Sequence, residues 1–209
     1  MANTDNGEGR FAPTADAAAE KLRLRRLALA RRNGLDEAER QEFSRRIARM
    51  VASSAVFRQA RIIHAYLSFG TEVETGEVIA AGFAAGKIVA VPVVAEGSPE
   101  LLHAIITPHT RLAPGRYGIP APQDSALLTA AELGLAASDA ILVPVAAFDS
   151  ARNRLGYGKG YYDRFMSKTA AMHLGLAFVC QEVGAIPTEP HDVRLDAIIT
   201  ETGTLADLM

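Results

Sequence analysis

Apolar residues recur along this chain with two different periods, and the switch between them divides it. Leu24, Leu27 and Ala28 return at helical spacing, which predicts a first helix from about Ala15, closed by Asn33-Gly34 as a left-handed stop. Lys21, Arg25 and Arg32 fall on one stripe of that helix, since steps of four and seven return to nearly the same face. Asp36 with Glu39 predicts a capping box for a second helix, whose apolar stripe is Phe43, Ile47 and Met50. From Ile62 the pattern shortens. Ile62 to Leu67 reads as a buried strand, Val78-Ile79 with Gly82-Phe83 as one helical face, and Ile88 to Val93 as another strand. Strand, helix and strand in about 30 residues make a βαβ unit with a parallel pair. A second unit follows: strand 140–145, a helix from Lys159 to about Ala170, and a strand from Leu174 to Val179. Asp196 to Thr200 reads as a last strand. Leu101 to Ile106 fits a strand of either kind, and 107–125, with Pro108, Pro114, Pro120 and Pro122, is expected to be largely irregular and functional.

Residues 1 to 15 are small and polar, too poor in apolar side chains to offset ordering entropy, and are expected to be a disordered tail. Residues 16–209 then form one domain, with enough chain for one sizeable core. A formal net charge of −2 offers no general attraction to nucleic acid or acidic membranes, so any polyanion must meet a local patch. Cys180 is the single cysteine, which excludes an intramolecular disulfide, and its apolar surroundings predict a buried thiol. No stretch approaches the roughly 18 apolar residues of a membrane helix, and the start of the chain lacks a signal peptide's basic and apolar regions. A cytoplasmic protein with no membrane, nucleic-acid or obligate protein partner is the expectation.

The candidate chemistry gathers behind strand 140–145, in Gly156-Tyr157-Gly158-Lys159-Gly160-Tyr161-Tyr162-Asp163. Glycines at alternate positions let the backbone turn sharply and approach an anion closely. Lys159 and Arg154 add a mobile and a planar cation. The spacing matches neither common nucleotide fingerprint: no Ser or Thr follows Lys159 as in a P-loop, and one residue separates the last two glycines where a dinucleotide loop has two. A plain strand-to-helix turn leaves Arg154, Lys159 and Asp163 unexplained. Elsewhere, Glu72 and Glu74 precede Thr75, read as a helix cap; the five histidines show no metal spacing. Of Tyr161 and Tyr162, one is expected in the core and one in the site.

Val143-Pro144-Val145-Ala146-Ala147-Phe148-Asp149 followed by Asn153-Arg154-Leu155 and the glycine segment to Phe165 resembles the signature of 5-formyltetrahydrofolate cyclo-ligases, also called 5,10-methenyltetrahydrofolate synthetases. Lys21 to Arg25, Leu67 to Thr75 and Tyr117 to Pro122 match the family's other landmarks in order, so the resemblance runs from Lys21 to the last strand. It implies a three-layer α/β fold of the NagB/RpiA/CoA-transferase type, with a mainly parallel sheet preceded by two N-terminal helices. It also implies ATP as co-substrate, held by Lys21, Arg25, Arg154, Leu155, Gly156, Tyr157, Gly158, Lys159, Gly160, Tyr161 and Tyr162. Folate would meet Leu67, Glu72, Tyr117 and the backbone from Tyr157 to Tyr161. Asp163 and Asp196 would hold Mg²⁺, and Arg154, Lys159 and Tyr161 would lie nearest the chemistry. The implied reaction turns 5-formyltetrahydrofolate into 5,10-methenyltetrahydrofolate with release of ADP and phosphate, through phosphorylation of the formyl oxygen and ring closure by N10. Two rivals stay open: a sugar-phosphate-binding or isomerase-like α/β protein, which has no need of the folate-facing set, and an RNA-binding module, for which no recognition motif is present.

Overall fold

A computed structural model describes residues 15–206. The tail expected over residues 1 to 15 lies, Ala15 apart, outside the described residues. Helices α1 (Ala15–Asn33), α2 (Glu37–Ser53) and the short α3 (Ala55–Gln59) precede strand β1 (Ile62–His64). Helix α4 (Gly76–Ala84) leads to β2 (Ile88–Val94), and β3 (Leu101–Ile106) turns back beside it. A ribbon of β4 (Leu112–Pro114) and β5 (Pro120–Pro122) comes next, then α5 (Ala130–Leu133) and β6 (Ala140–Pro144). The hairpin β7 (Ala147–Phe148) and β8 (Arg154–Leu155) is followed by α6 (Tyr161–Met166), β9 (Met172–Leu176), β10 (Ala197–Thr200) and β11 (Gly203–Ala206).

Among the described residues one sheet of seven strands runs in the order β11-β10-β9-β6-β1-β2-β3. Its five inner strands are mutually parallel and both edge strands antiparallel. Alternation along each strand splits the core. Ile63, Leu142, Leu174 and Ile199 face α2 and α4, where Ile47, Val51 and Val78 wait. Ile62, Ile141, Val143 and Ile198 face α5 and α6 through Leu133, Phe165 and Met166. The result is a three-layer α/β fold with a mainly parallel sheet, as expected. Both βαβ units are present, and their crossovers leave the carboxyl ends of the inner strands free to line a site.

Local expectations hold in part. The capping box of α2 forms, with Asp36 accepting from Glu39 N–H at 2.8 Å and Glu39 from Asp36 N–H at 3.1 Å. Leu27, read as core, is exposed, while Leu24 and Ala28 are buried. Gly34 does follow the end of α1 but is not left-handed; an added Cβ would instead crowd the Arg31 carbonyl at 3.3 Å. Thr75 makes no side-chain cap, because its hydroxyl donates to the Tyr66 carbonyl at 2.6 Å. Helix α6 is six residues long, not the dozen expected, and its strand ends at Leu176, so Cys180 sits half-buried in a 3₁₀ turn. Segment 107–125 is less irregular than its prolines suggest, since β4 and β5 pair at Leu112–Pro122 and Pro114–Pro120. No described helix is long and apolar enough to cross a membrane.

One buried polar contact supports α6. His64 on β1 and His103 on β3 are fully buried with Nε2 and Nδ1 3.0 Å apart, and the Phe165 ring packs on both, at 4.8 and 4.3 Å between centroids. Their remaining ring nitrogens have no hydrogen-bond partner among the described residues, so an added proton there would be an unpaired buried charge. Burial, then the neighbouring imidazole, holds His64 well below the histidine range, and burial pushes His103 down to about 4. Unfolded histidines take up protons near 6.5, so this contribution is complete above that pH and is lost as the pH falls toward 4. Urea midpoints should therefore drop between pH 6.5 and 4 by an amount worth about 1–3 kcal/mol. The double variant His64→Leu/His103→Leu should lose that part of the slope; an unchanged slope would assign it to carboxylates.

Candidate active site

The carboxyl edge of the inner strands opens into a cleft of about 1350 Å³, lined from α1, the segment after β1, the end of β2, the β4–β5 ribbon, the glycine segment, α6 and residues 189–193. Its floor is prepared by a tight turn. Between β7 and β8 the buried Asp149 accepts from the N–H groups of Ala151 and Asn153 at 3.0 and 2.9 Å, from Asn153 Nδ2 at 3.0 Å and from Ile186 N–H at 2.9 Å. That fully used carboxylate fixes the hairpin, which delivers Arg154 under the glycines. Sequence reasoning placed the glycines directly after strand 140–145 and missed this hairpin, whose strands are two residues each.

Arg154 has 3% of its side chain exposed; its Nη2 donates to Asp163 Oδ1 at 3.0 Å, and the Tyr162 ring lies 5.8 Å from its guanidinium carbon. Burial lowers its pKa, and Asp163, Tyr162 and Asp192 oppose that. A Cβ on Gly156 would come within 2.8 Å of Arg154 Nη1, so the loop lies directly on the guanidinium. Gly158 and Gly160 take φ values of 85° and 65°, a left-handed backbone that glycine adopts without strain and that turns the segment sharply. Gly160 then leads into α6, where Tyr161 and Tyr162 are both half-buried and both line the cleft, so the expected division between core and site does not hold. Lys159 lines the cleft, and its carbonyl accepts from Arg164.

Helix α1 closes one side. Arg25 Nε donates to the Gly156 carbonyl at 2.7 Å. Lys21 Nζ reaches Glu189 and Asp192 at 2.6 Å each; desolvation works against its charge, but the two carboxylates outweigh it and raise its pKa. Arg32, third on the basic stripe, is buried, and its guanidinium meets Thr71 and Tyr157. At the other end, Glu72 accepts from the Tyr157 hydroxyl at 2.8 Å and from Phe69 N–H at 3.0 Å, and burial raises its pKa against those bonds. Leu67 and Tyr117 line the same end; Tyr117 is 56% exposed, takes φ 60° and has Arg116 over its ring at 5.1 Å.

Most of the expected set therefore meets in one cleft. Asp196 does not: it precedes β10 at the amino edge of the sheet, its Oδ2 accepts from His173 N–H at 2.7 Å, and it is absent from the cleft lining. Of the two carboxylates assigned to a metal, only Asp163 lines the cleft. Glu189 and Asp192 were missed. With His191 they form the one described group of three that could hold a metal, yet Lys21 already lies against both carboxylates. Their signal in the sequence was weak, an acidic pair around Pro190 and His191 in a stretch without periodicity.

Comparison with known proteins shows the family and the fold. The sequence model of the 5-formyltetrahydrofolate cyclo-ligase family matches residues 17–201. The chain is 35% identical over 146 residues to the 5-formyltetrahydrofolate cyclo-ligase of Haemophilus influenzae, covering 68% of this chain and 76% of that protein. It is 31% identical over 174 residues to the enzyme of that name from Escherichia coli K12, covering 81% and 94%. Its fold superposes on the Aquifex aeolicus 5,10-methenyltetrahydrofolate synthetase with a TM-score of 0.75 at 26% identity, over 89% of this chain and 92% of that one. The Mycoplasma pneumoniae synthetase shares the fold at a TM-score of 0.69, 22% identity and coverage of 87% and 99%. With its glycine segment, basic helix and carboxylate-lined far end all inside the matched region, this chain is an enzyme of the 5-formyltetrahydrofolate cyclo-ligase family.

Proposed function

We propose that the cleft converts 5-formyltetrahydrofolate to 5,10-methenyltetrahydrofolate at the expense of ATP, with Mg²⁺. The observation that supports this reading best is that one cleft joins two unlike groups: Lys21, Arg25, Arg154 and Lys159 around the glycine segment, and Glu72 with Leu67 and Tyr117. The first group suits a triphosphate, and the second a flat, hydrogen-bonding ring.

The chemical obstacle is the formyl oxygen, a poor leaving group from an amide-like carbon. In the proposed sequence that oxygen attacks the γ-phosphorus, the bond to the bridging oxygen breaks, and ADP departs. N10 then adds to the activated carbon, loses its proton, and expels phosphate as the five-membered ring closes. The protein's share is position and charge. Lys159 and Arg25 border the concavity where phosphates would lie, and Arg154 beneath it adds a fixed positive field for the charge on the transferring group. Tyr161, at the mouth of α6, would help to seat the substrates against each other. Lys21 would exchange one of its carboxylate partners for phosphate. Asp163 fits a magnesium ion: its Oδ1 serves Arg154 and Val193 N–H, and its Oδ2 accepts no hydrogen bond among the described residues. A bound ion there supplies charge neutralisation on phosphate oxygens. Glu72, which while ionised has acceptors and no donor, would take N–H donors of the pterin edge, with Tyr117 stacking on its face.

Incubation of the purified protein with ATP, Mg²⁺ and 5-formyltetrahydrofolate should raise the methenyl absorbance, with one ADP formed per ring closed; binding of MgATP without any methenyl product would overturn the reading. The two ends should separate by mutation. Lys21→Met should weaken ATP by about one to two decades, as loss of a charge-assisted contact implies, and leave folate affinity within a factor of about three. Tyr117→Ala should do the opposite, costing folate about 1–3 kcal/mol. Parallel titrations of both ligands would check this, and equal losses in both variants would count against a divided cleft.

A further inference from the structure

Arg32 lines the cleft as a buried cation, and no part of the proposed chemistry uses it. It sits in the last turn of α1 with 5% exposure, and its Nε donates to Thr71 Oγ1 at 3.0 Å while its Nη2 donates to the Tyr157 hydroxyl at 3.0 Å. Thr71 in turn donates to Asn33 Oδ1 at 2.7 Å, and Tyr157 donates to Glu72 Oε1 at 2.8 Å. A buried guanidinium normally has a carboxylate against it. Here its side-chain hydrogen bonds go to neutral hydroxyls, and the countercharge is one step further on, at Glu72. The arrangement is a polarised chain: a cation donates to a phenol oxygen, which makes that phenol a stronger donor to the carboxylate.

We propose that Arg32 is a positioning residue for folate recognition, acting through the Tyr157 hydroxyl to hold the Glu72 carboxylate in place for the N–H edge of an amino-oxo pyrimidine ring. The inference rests on the reading of Glu72 as folate-facing. Three segments distant in sequence meet in this chain: the end of α1, the loop after β1 and the glycine segment. The contact with Phe69 N–H fixes Glu72 Oε2, and the contact with Tyr157 fixes Oε1, so both oxygens are set before substrate arrives. The charged and titratable groups around Glu72 are Arg32 from α1, Tyr157 from the glycine segment, Tyr66 after β1 and Tyr162 from α6. Only Arg32 among these is a cation. Burial and the adjacent Glu72 push the Tyr157 hydroxyl up to about 12, so it keeps its proton and stays a donor throughout the working range. Burial also favours a protonated Glu72, which Phe69 N–H, Tyr157 and Arg32 counteract. Loss of Arg32 therefore lets Glu72 protonate at higher pH, where it can no longer serve as a pure acceptor.

The test is steady-state kinetics of the full chain with 5-formyltetrahydrofolate and ATP, followed by methenyl absorbance from pH 5 to 9, on Arg32→Met, Arg32→Lys, Tyr157→Phe and Glu72→Gln. Arg32→Met should raise the folate KM about tenfold, leave the ATP KM within about twofold, and move the acid limb of folate kcat/KM to higher pH. Arg32→Lys should recover part of both effects, because an ammonium keeps the charge and can reach one of the two hydroxyls. Tyr157→Phe cuts the chain at a half-exposed position that the core does not need, so it should shift the acid limb in the same direction even if Arg32→Met folds poorly. A raised folate KM and shifted limb in both variants would support the proposal. If Glu72→Gln weakens folate while Arg32→Met and Tyr157→Phe leave its KM and acid limb unmoved, the proposal is wrong and the reading of Glu72 stands. If Glu72→Gln leaves the folate KM unchanged, that reading fails and takes the proposal with it. Equal rises in the KM for folate and ATP would mark Arg32 as structural only and also overturn it.

Discussion

Arg154 has to be kept ionised without water, and much of the cleft follows from how that is done. Moving a cation out of water costs several kcal/mol unless an opposite charge and well-placed dipoles replace the solvent. Asp163 provides the charge, the Tyr162 face lies alongside, and the Asp149 turn fixes the strand from which the guanidinium emerges. The same demand reaches the loop above. A Cβ at position 156 would come within 2.8 Å of the guanidinium and force it to shift from its place beside Asp163, so glycine there lets the backbone settle on the charge undisturbed. The concavity is in this sense draped over a buried charge, and an anion resting in it would meet both loop amides and the field from below.

Helix α1 relates the two ends of the cleft. Lys21 and Arg32 are eleven residues apart, a rise of about 16 Å at 1.5 Å per residue, which is a length suited to spanning from a phosphate site to a ring site. Arg25 lies between them against the Gly156 carbonyl. Because one rigid element carries all three, the spacing of the ends is set by helix geometry and not by loops. The docked face of the helix is accordingly mixed: Leu24 and Ala28 pack against Ala147, Leu155 and Ile186, while the basic groups project beside them.

What could be read in the sequence was what is local or periodic. Alternating glycines announce a backbone concavity because their conformational freedom belongs to the residue itself, and the two βαβ units show because burial of both sheet faces leaves unmistakable apolar runs. The capping box at Asp36 and Glu39 was legible for the same reason. Features decided by distant partners were not. Nothing near Lys21 points to Glu189 and Asp192, which lie 168 and 171 residues away. Thr75 looked like a cap until the Tyr66 carbonyl claimed its hydroxyl, and Leu27 fitted the helical period of a stripe that turns out to be narrower. Strand direction explains Asp196: its place before β10 puts it at the amino edge, opposite the carboxyl edge where parallel crossovers leave room for a site, and only the family resemblance had placed it with the metal.

The tie between Lys21 and residues 189–192 also has a meaning in time. During synthesis the first helix emerges long before the segment that neutralises it, and the hairpin it packs against follows more than a hundred residues later. Closing loops of that length is entropically costly and comes late in folding. The βαβ units can assemble from near neighbours, whereas the phosphate end of the cleft is completed only when the two ends of the described chain come together. A chain ending before residue 189 would lack β10 and β11 as well as the partners of Lys21, so sheet and site are completed together, and nucleotide that binds the closed cleft would act as a late clamp on the whole fold.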